Sequence, residues 1–291
     1  MNNLLTVNNL SKVYKTGRGI RNISFELQGG TILGIIGLNG AGKTILLSCL
    51  TGFMEWNSGE VEYALNGMIY NNVNKNPKML EDLGVVASEY GFPPYFNAKT
   101  VNTIMSNVYR NWDKAKFFDL LKQLDLDPTV KVRAFSTGMK TKLAIAIALS
   151  HKAKILLLDE ATNGLDVKAS AKVRELLYDH VADDENAIIL TSHIMGEIER
   201  MSDAIMFIDD GIMEFNCNKD DLLHNYKAFS MTAEQLAKIE SQDVMKIKKD
   251  AHIVRVIAKN PKAFTEKYII EPEVLPLDTI IEIFLEGEIL A

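Results

Sequence analysis

The chain has 291 residues, of which 47% are apolar and 24% charged, and carries a net charge of −6. That is the balance of a globular protein with ample length for a buried core, in one large or two modest domains. The acidic surplus argues against broad binding to nucleic acid, whose phosphates select basic surfaces. The two cysteines, Cys49 and Cys217, stand in no metal or redox spacing, so a reduced compartment is expected, with Cys49 as a packing residue. Met1-Asn-Asn-Leu-Leu5 has neither the charged opening nor the apolar segment of a secretory signal. No run of about 18 apolar residues occurs, so a membrane role would need a second chain.

Residues 4–28 alternate apolar and polar positions around Thr16-Gly-Arg-Gly19, the pattern of an antiparallel hairpin. Thr31-Ile-Leu-Gly-Ile-Ile36 reads as a buried strand, and Lys43 to Leu50 as a helix stopped by Gly52. Between them Gly37-Leu38-Asn39-Gly40-Ala41-Gly42-Lys43-Thr44 fits the phosphate-loop pattern G-x-x-x-x-G-K-[S/T] at every fixed position. The backbone of Asn39, Gly40, Ala41 and Gly42, continuing to Ile45, is expected to cradle nucleotide phosphates through N–H groups at a helix N-terminus. Lys43 can reach the β- and γ-phosphates, and the Thr44 hydroxyl is placed to ligate Mg²⁺.

A short strand is expected from Gly59 to Leu65, and residues 88–150 read as mostly helical. Lys154-Ile-Leu-Leu-Leu158 and Ala187-Ile-Ile-Leu190 are continuous apolar runs suited to parallel strands buried on both faces, with a helix over Lys168 to His180 between them. Ala204 to Phe215 reads as a hairpin around Asp209-Asp-Gly211. From about residue 218 a small α+β piece is expected. It comprises a helix over Thr232 to Ile239 opened by a Thr cap with Glu234 nearby, a half-exposed strand over His252 to Ala258, and a helix over Leu277 to Leu285.

Two further motifs carry chemistry. The strand Ile155-Leu-Leu-Leu158 ends in Asp159-Glu160. Asp159 can serve a metal on the phosphates while Glu160 orients and deprotonates an attacking water. Ahead of it Phe135-Ser-Thr-Gly-Met139 opens a helix, where Ser136 and Gly138 can offer a hydroxyl and N–H groups to a γ-phosphate.

In this order the motifs resemble those of the nucleotide-binding subunit of an ATP-binding cassette (ABC) transporter, and the likeness covers residues 4–217. It implies a P-loop α/β core with an antiparallel β subdomain and a helical subdomain over about 88–150, within a nucleotide-binding domain of residues 1–217, followed by an accessory α+β region of residues 218–291. It makes Gly37 to Thr44 the Walker A motif, Ile155 to Glu160 the Walker B motif with catalytic Glu160, and Ser136-Thr-Gly-Met139 the signature. It further implies that Tyr14 stacks on adenine, that Asn163-Gly-Leu-Asp166 is the D-loop, and that His193 is the switch histidine contacting the γ-phosphate. ATP and Mg²⁺ are the implied ligands. Two such domains, identical or different, are expected to pack head to tail so that Ser136 and Gly138 act in trans. His151, His180, His224 and His252 are read as surface or packing residues.

The sequence departs from the family where a Gln usually ligates Mg²⁺: Ser88 or Glu89 stands there. Thr137 and Met139 replace the commonest signature residues. The short interval from Thr44 to Ser136 and the closing helix resemble ABC-2 type exporters, whose ATPase is a separate chain at the inner face of the cell membrane, held there by an integral permease subunit. Phe92-Pro-Pro-Tyr-Phe96 is the expected wall of the permease-docking groove. The resemblance implies ATP-driven export of a peptide, antibiotic or other amphipathic compound, with the phenol-soluble modulin exporters as one such class. A soluble ABC ATPase acting on ribosomes or DNA, and a nucleotide-gated module with little turnover, are the alternatives. A single cassette and the acidic charge stand against the first of these, and Glu160 with His193 against the second.

Overall fold

The computed structural model describes residues 2–71, 76–87, 91–225, 227–250, 253–273, 275–288 and 290. The chain divides into two compact units, residues 1–216 and 217–291.

The first unit begins with the hairpin β1 (Asn3–Val13) and β2 (Gly19–Gln28), whose inward positions Leu5, Val7, Ile23, Phe25 and Leu27 are buried. The buried strand β3 (Ile32–Ile36) leads through the glycine-rich loop into α1 (Lys43–Leu50), followed by β4 (Ser58–Leu65) and β5 (Met68–Asn71). After β6 (Leu83–Val86) come α2 (Ala98–Val108), α3 (Lys114–Gln123) and α4 (Thr137–Ala148). Asn97, Asp113 and Ser136 cap these three helices by accepting a backbone N–H. β7 (Ile155–Asp159), α5 (Val167–Val181), β8 (Ala187–Ser192), α6 (Met195–Met201), β9 (Ala204–Asp209) and β10 (Ile212–Asn218) complete the set.

These strands form one sheet in the order β5-β4-β1-β2-β10-β9-β3-β8-β7-β6. β5, β4, β1 and β2 pair antiparallel, β10 joins β2 in parallel, and β9, β3, β8, β7 and β6 are parallel. The central strands β3, β7 and β8 are buried at every position and apolar up to their carboxyl ends, as parallel strands covered on both faces must be, so alternation vanishes from their sequences. In register, Asp159 stands beside Thr191, and Ile36 beside Ser192. The carboxyl ends of β3, β7 and β8 thus form one crest, where loops gather at the edge of a parallel sheet. α4 is buried nearly all round, from Leu143 to Ala148, and packs on β6.

The second unit contains α7 (Lys219–Asn225), β11 (Ala228–Met231), α8 (Ala233–Leu236), β12 (Val244–Lys249), β13 (Val254–Ala258), α9 (Pro261–Tyr268) and α10 (Leu277–Glu286). Two expectations are corrected here. The helix expected over Thr232 to Ile239 is one turn. Lys238 and Ile239 donate to Gln235 and Leu236 three residues back, which closes turns instead of extending an α-helix; the Thr232 cap is present and forms a capping box with Gln235. The strand expected to be half-exposed begins at Val254 and is central, between β11 and β12, so Val254, Val256, Ile257 and Ala258 are all buried. Phe229 and Phe264 meet in its core with ring centroids 4.5 Å apart.

Candidate active site

The phosphate loop is shaped by its glycines and by the strands beside it: a Cβ on Gly37 would stand 2.3 Å from the Ile208 carbonyl oxygen in β9. Gly42 has φ 112°, and a Cβ there would stand 2.6 Å from Ile20 Cγ2, so any other residue is both strained and obstructed. Lys43 opens α1 and turns its ammonium into the loop, donating to the carbonyls of Gly37 at 2.6 Å and Leu38 at 3.1 Å. Burial pushes Lys43 below the ordinary lysine pKa, with the charges of Glu160 and Asp159 partly offsetting this. Ala41 is buried and Leu38, Asn39 and Gly40 are exposed at the tip, while Ile45 packs toward the main core.

Asp159 is buried at the end of β7, and both its oxygens accept from hydroxyls: Thr44 Oγ1 at 2.9 Å and Thr191 Oγ1 at 2.6 Å. A buried carboxylate without such donors would be costly. Glu160 then turns out of the strand at φ 51°, a conformation uncommon for a non-glycine residue. Asn163 Nδ2 donates to Glu160 Oε2 at 2.5 Å, and His193 Nδ1 lies 3.2 Å from Glu160 Oε1. Behind them Glu197, in the first turn of α6, accepts from Thr162 and, at 3.0 Å, from Ser192, so one carboxylate ties the loop after β7 to the loop after β8. A carboxylate aimed by an amide and an imidazole beside a hydroxyl–carboxylate pair can take a proton from water next to a bound phosphate.

Phosphate loop, Asp159, Glu160 and His193 therefore lie in one hydrogen-bonded network. Ser136 does not join it: its Oγ caps α4 by accepting from Met139 N–H at 3.2 Å, and its surface is exposed. Gly138 is buried against the loop after β7, where a Cβ would meet the Gly164 carbonyl oxygen at 2.2 Å. Asp166 caps α5 by accepting from Ala169 N–H at 2.8 Å. Tyr14 is 41% exposed, with its hydroxyl 3.1 Å from Met54 Sδ and Lys12 over its ring. Ser88 and Glu89 lie outside the described residues, as does His252. His151 is buried and stacks on Tyr109 with centroids 4.0 Å apart, a packing role. Cys49 is also a packing residue, its thiol pushed up to about 11 by burial. Sequence reasoning placed Thr191 only at the strand end before His193 and missed its bonds to Asp159 and Glu160; it also missed Asn163 as a partner of Glu160, and Glu197 altogether. The only signal for Thr191 was a hydroxyl residue ending an apolar strand.

A phosphate loop and an acidic strand end at the crest of a parallel sheet define a P-loop ATPase. Solved structures share the fold: an ATP-binding subunit of an ABC transporter superposes with a TM-score of 0.68 over 76% of this chain and 92% of its own, at 24% identity. A dimeric ATP-binding cassette bound to ADP and Pi gives 0.65 over 74% and 98%, at 23% identity. Residues 20–163 match the model of the ABC transporter family. Among curated relatives, the bacitracin transport ATP-binding protein BcrA of Bacillus licheniformis is 31% identical over 72% of this chain and 68% of its own. The lantibiotic transport ATP-binding protein SrtF of Streptococcus pyogenes is 31% identical over 72% and 88%. The chain belongs to the ATP-binding proteins of ABC transporters, and it is an ATPase.

Proposed function

We propose that this subunit hydrolyses ATP at a site begun by Gly37 to Thr44, with Glu160 as general base and His193 as the group that senses the γ-phosphate, and that it drives export of a peptide antibiotic or a similar amphipathic compound. The observation that carries the mechanism is the Glu160 carboxylate held between Asn163 and His193, next to the buried Asp159–Thr44 pair. The bacitracin and lantibiotic relatives support the substrate class. The role of each residue follows from its place. The loop N–H groups and Lys43 bind phosphate oxygens, Tyr14 offers a ring for the base, and Glu160 accepts the proton of the attacking water.

Mg²⁺ fits this donor set. Thr44 and Asp159 offer hard oxygen ligands, and among the described residues no cluster of three or more His, Cys, Asp or Glu side chains builds a metal cage. Such a pair suits an ion that arrives with the nucleotide and keeps phosphate and water ligands. When bound it neutralises charge on the phosphates, and Glu89 is proposed as a further oxygen ligand.

Two cassettes are proposed to close head to tail, Ser136 and Gly138 completing the partner's site with Asp166 nearby. The exposure of Ser136 at a helix N-terminus supports this. A permease helix is proposed to dock near a cavity of about 370 Å³ lined by Leu47, Phe53, Val85, Val86 and Ala87, which also includes Thr44 and Asp159. Phe53 is 83% exposed and Tyr95, in the Phe92 to Phe96 segment, 71%, which suits aromatic anchors. Among the described residues no helix is long and apolar enough to cross a membrane, so attachment at the inner membrane face is assigned to the permease. The region from residue 218 is proposed as an accessory to closure.

The test is light scattering of Glu160→Gln with and without Mg-ATP, together with phosphate release. Loss of turnover with an ATP-dependent shift to dimer, abolished by Ser136→Ala, is the expected result. Turnover at the wild-type rate would remove Glu160 from the base role.

A further inference from the structure

β8 is apolar from Ala187 to Leu190 and then ends in Thr191 and Ser192. Thr191 stands beside Asp159 in the parallel register and is 1% exposed, so its hydroxyl has no water to satisfy it and depends on the protein for partners. It has two. Oγ1 donates to Asp159 Oδ1 at 2.6 Å and accepts from the Glu160 N–H at 3.2 Å. The same N–H also reaches the Thr191 carbonyl at 3.2 Å.

That fork sits at the one strained step of the strand end. In a continuing strand Asp159 and Glu160 would point to opposite faces of the sheet. The φ of 51° at Glu160 breaks the alternation and brings its carboxylate to Asn163 and His193. A left-handed glutamate persists only where its surroundings over-determine it. Thr191 supplies both the acceptors for its N–H and the donor that fixes the neighbouring Asp159. Thr44 holds the other oxygen of Asp159, but from the loop that also binds nucleotide. Thr191 holds its oxygen from inside the sheet.

We propose that Thr191 is a positioning residue for hydrolysis: its hydroxyl locks Asp159 and the backbone of Glu160 into one unit, so the base is aimed by the sheet. This rests on the reading of Glu160 as base. Thr191→Val keeps the shape and removes the hydroxyl, whereas Thr191→Ser keeps it. Val is expected to lower kcat for ATP tenfold or more with KM within about threefold, and Ser to stay within about threefold of wild type on both. Tenfold corresponds to about 1.4 kcal/mol of barrier. ATP affinity measured by nucleotide titration should be unchanged in both. In a Glu160→Gln background, Val should add no further loss, because both changes act on one step. Should Val collapse the melting temperature, Thr191→Ala is judged by the same criteria.

The two readings fail separately. Wild-type turnover in Thr191→Val with Glu160→Gln inactive overturns the role of Thr191 alone. Equal losses in the Val and Ser variants overturn it as well, since the hydroxyl would then not be responsible. Wild-type turnover in Glu160→Gln removes the base and this proposal with it.

Discussion

Replacing Gly138 by alanine probes how the start of α4 is coupled to the loop that holds Glu160. Gly138 is buried, and a methyl group there would stand 2.2 Å from the Gly164 carbonyl oxygen. Carbon–oxygen contacts close at about 3.3 Å, so the two backbones must part by about 1 Å. Two effects oppose each other. Alanine favours a helix over glycine by up to about 1 kcal/mol, and overpacking a filled site costs about 1–3 kcal/mol. The gain is small at the second residue of a helix, and the obstacle is a main-chain carbonyl that cannot rotate aside. Overpacking wins, by about 1–2 kcal/mol. For residues 1–216 as a unit, each kcal/mol shifts Tm by about 2–4 °C, so Tm should fall by about 2–8 °C. Gly164 follows Asn163, the donor to Glu160, so ATP turnover should fall as well. Calorimetry without nucleotide reads the contact within one chain, apart from any closure over a partner. A Tm unchanged or raised in Gly138→Ala would refute the coupling.

Two more outcomes are expected. Asn163→Ala removes a hydrogen bond to a carboxylate, worth about 1.5–3 kcal/mol. Because Glu160 is partly exposed and water can substitute, the lower end applies and kcat should drop about tenfold, read by phosphate release at saturating ATP. His180 is held down to about 4 by burial, with Lys116 adding to the effect. The unfolded chain therefore binds more protons than the folded one between about pH 4 and 6.5, and stability falls as pH drops through that window. Urea titrations of His180→Asn should show a shallower loss over it than wild type, and an unchanged slope would reject His180 as a contributor.

Much of the first unit was legible because its signals are local. The phosphate loop needs glycine at fixed spacing, and parallel strands covered on both faces must be continuously apolar, so Ile32 to Ile36, Ile155 to Leu158 and Ala187 to Leu190 could be read directly. The second unit was harder. Val254 to Ala258 alternates weakly in sequence, and only its place between β11 and β12 made it a buried central strand. The helix expected from Thr232 had its cap but broke after one turn, because local propensity does not say whether tertiary packing will extend a helix.

The sequence by itself determined the chemistry available: a phosphate loop, an acidic pair closing a buried strand, a capped signature helix and a histidine after β8. These depend on residue type and spacing along one segment. Only the tertiary structure decided which partners each group has. Asn163 and His193 meet Glu160, Thr191 bridges Asp159 to Glu160, and Glu197 joins the loops after β7 and β8, because strands distant in sequence pair in a register that sets Asp159 beside Thr191. Hydrogen bonds across neighbouring strands are fixed by register and by left-handed steps such as that of Glu160, and neither is written in the spacing of any one motif.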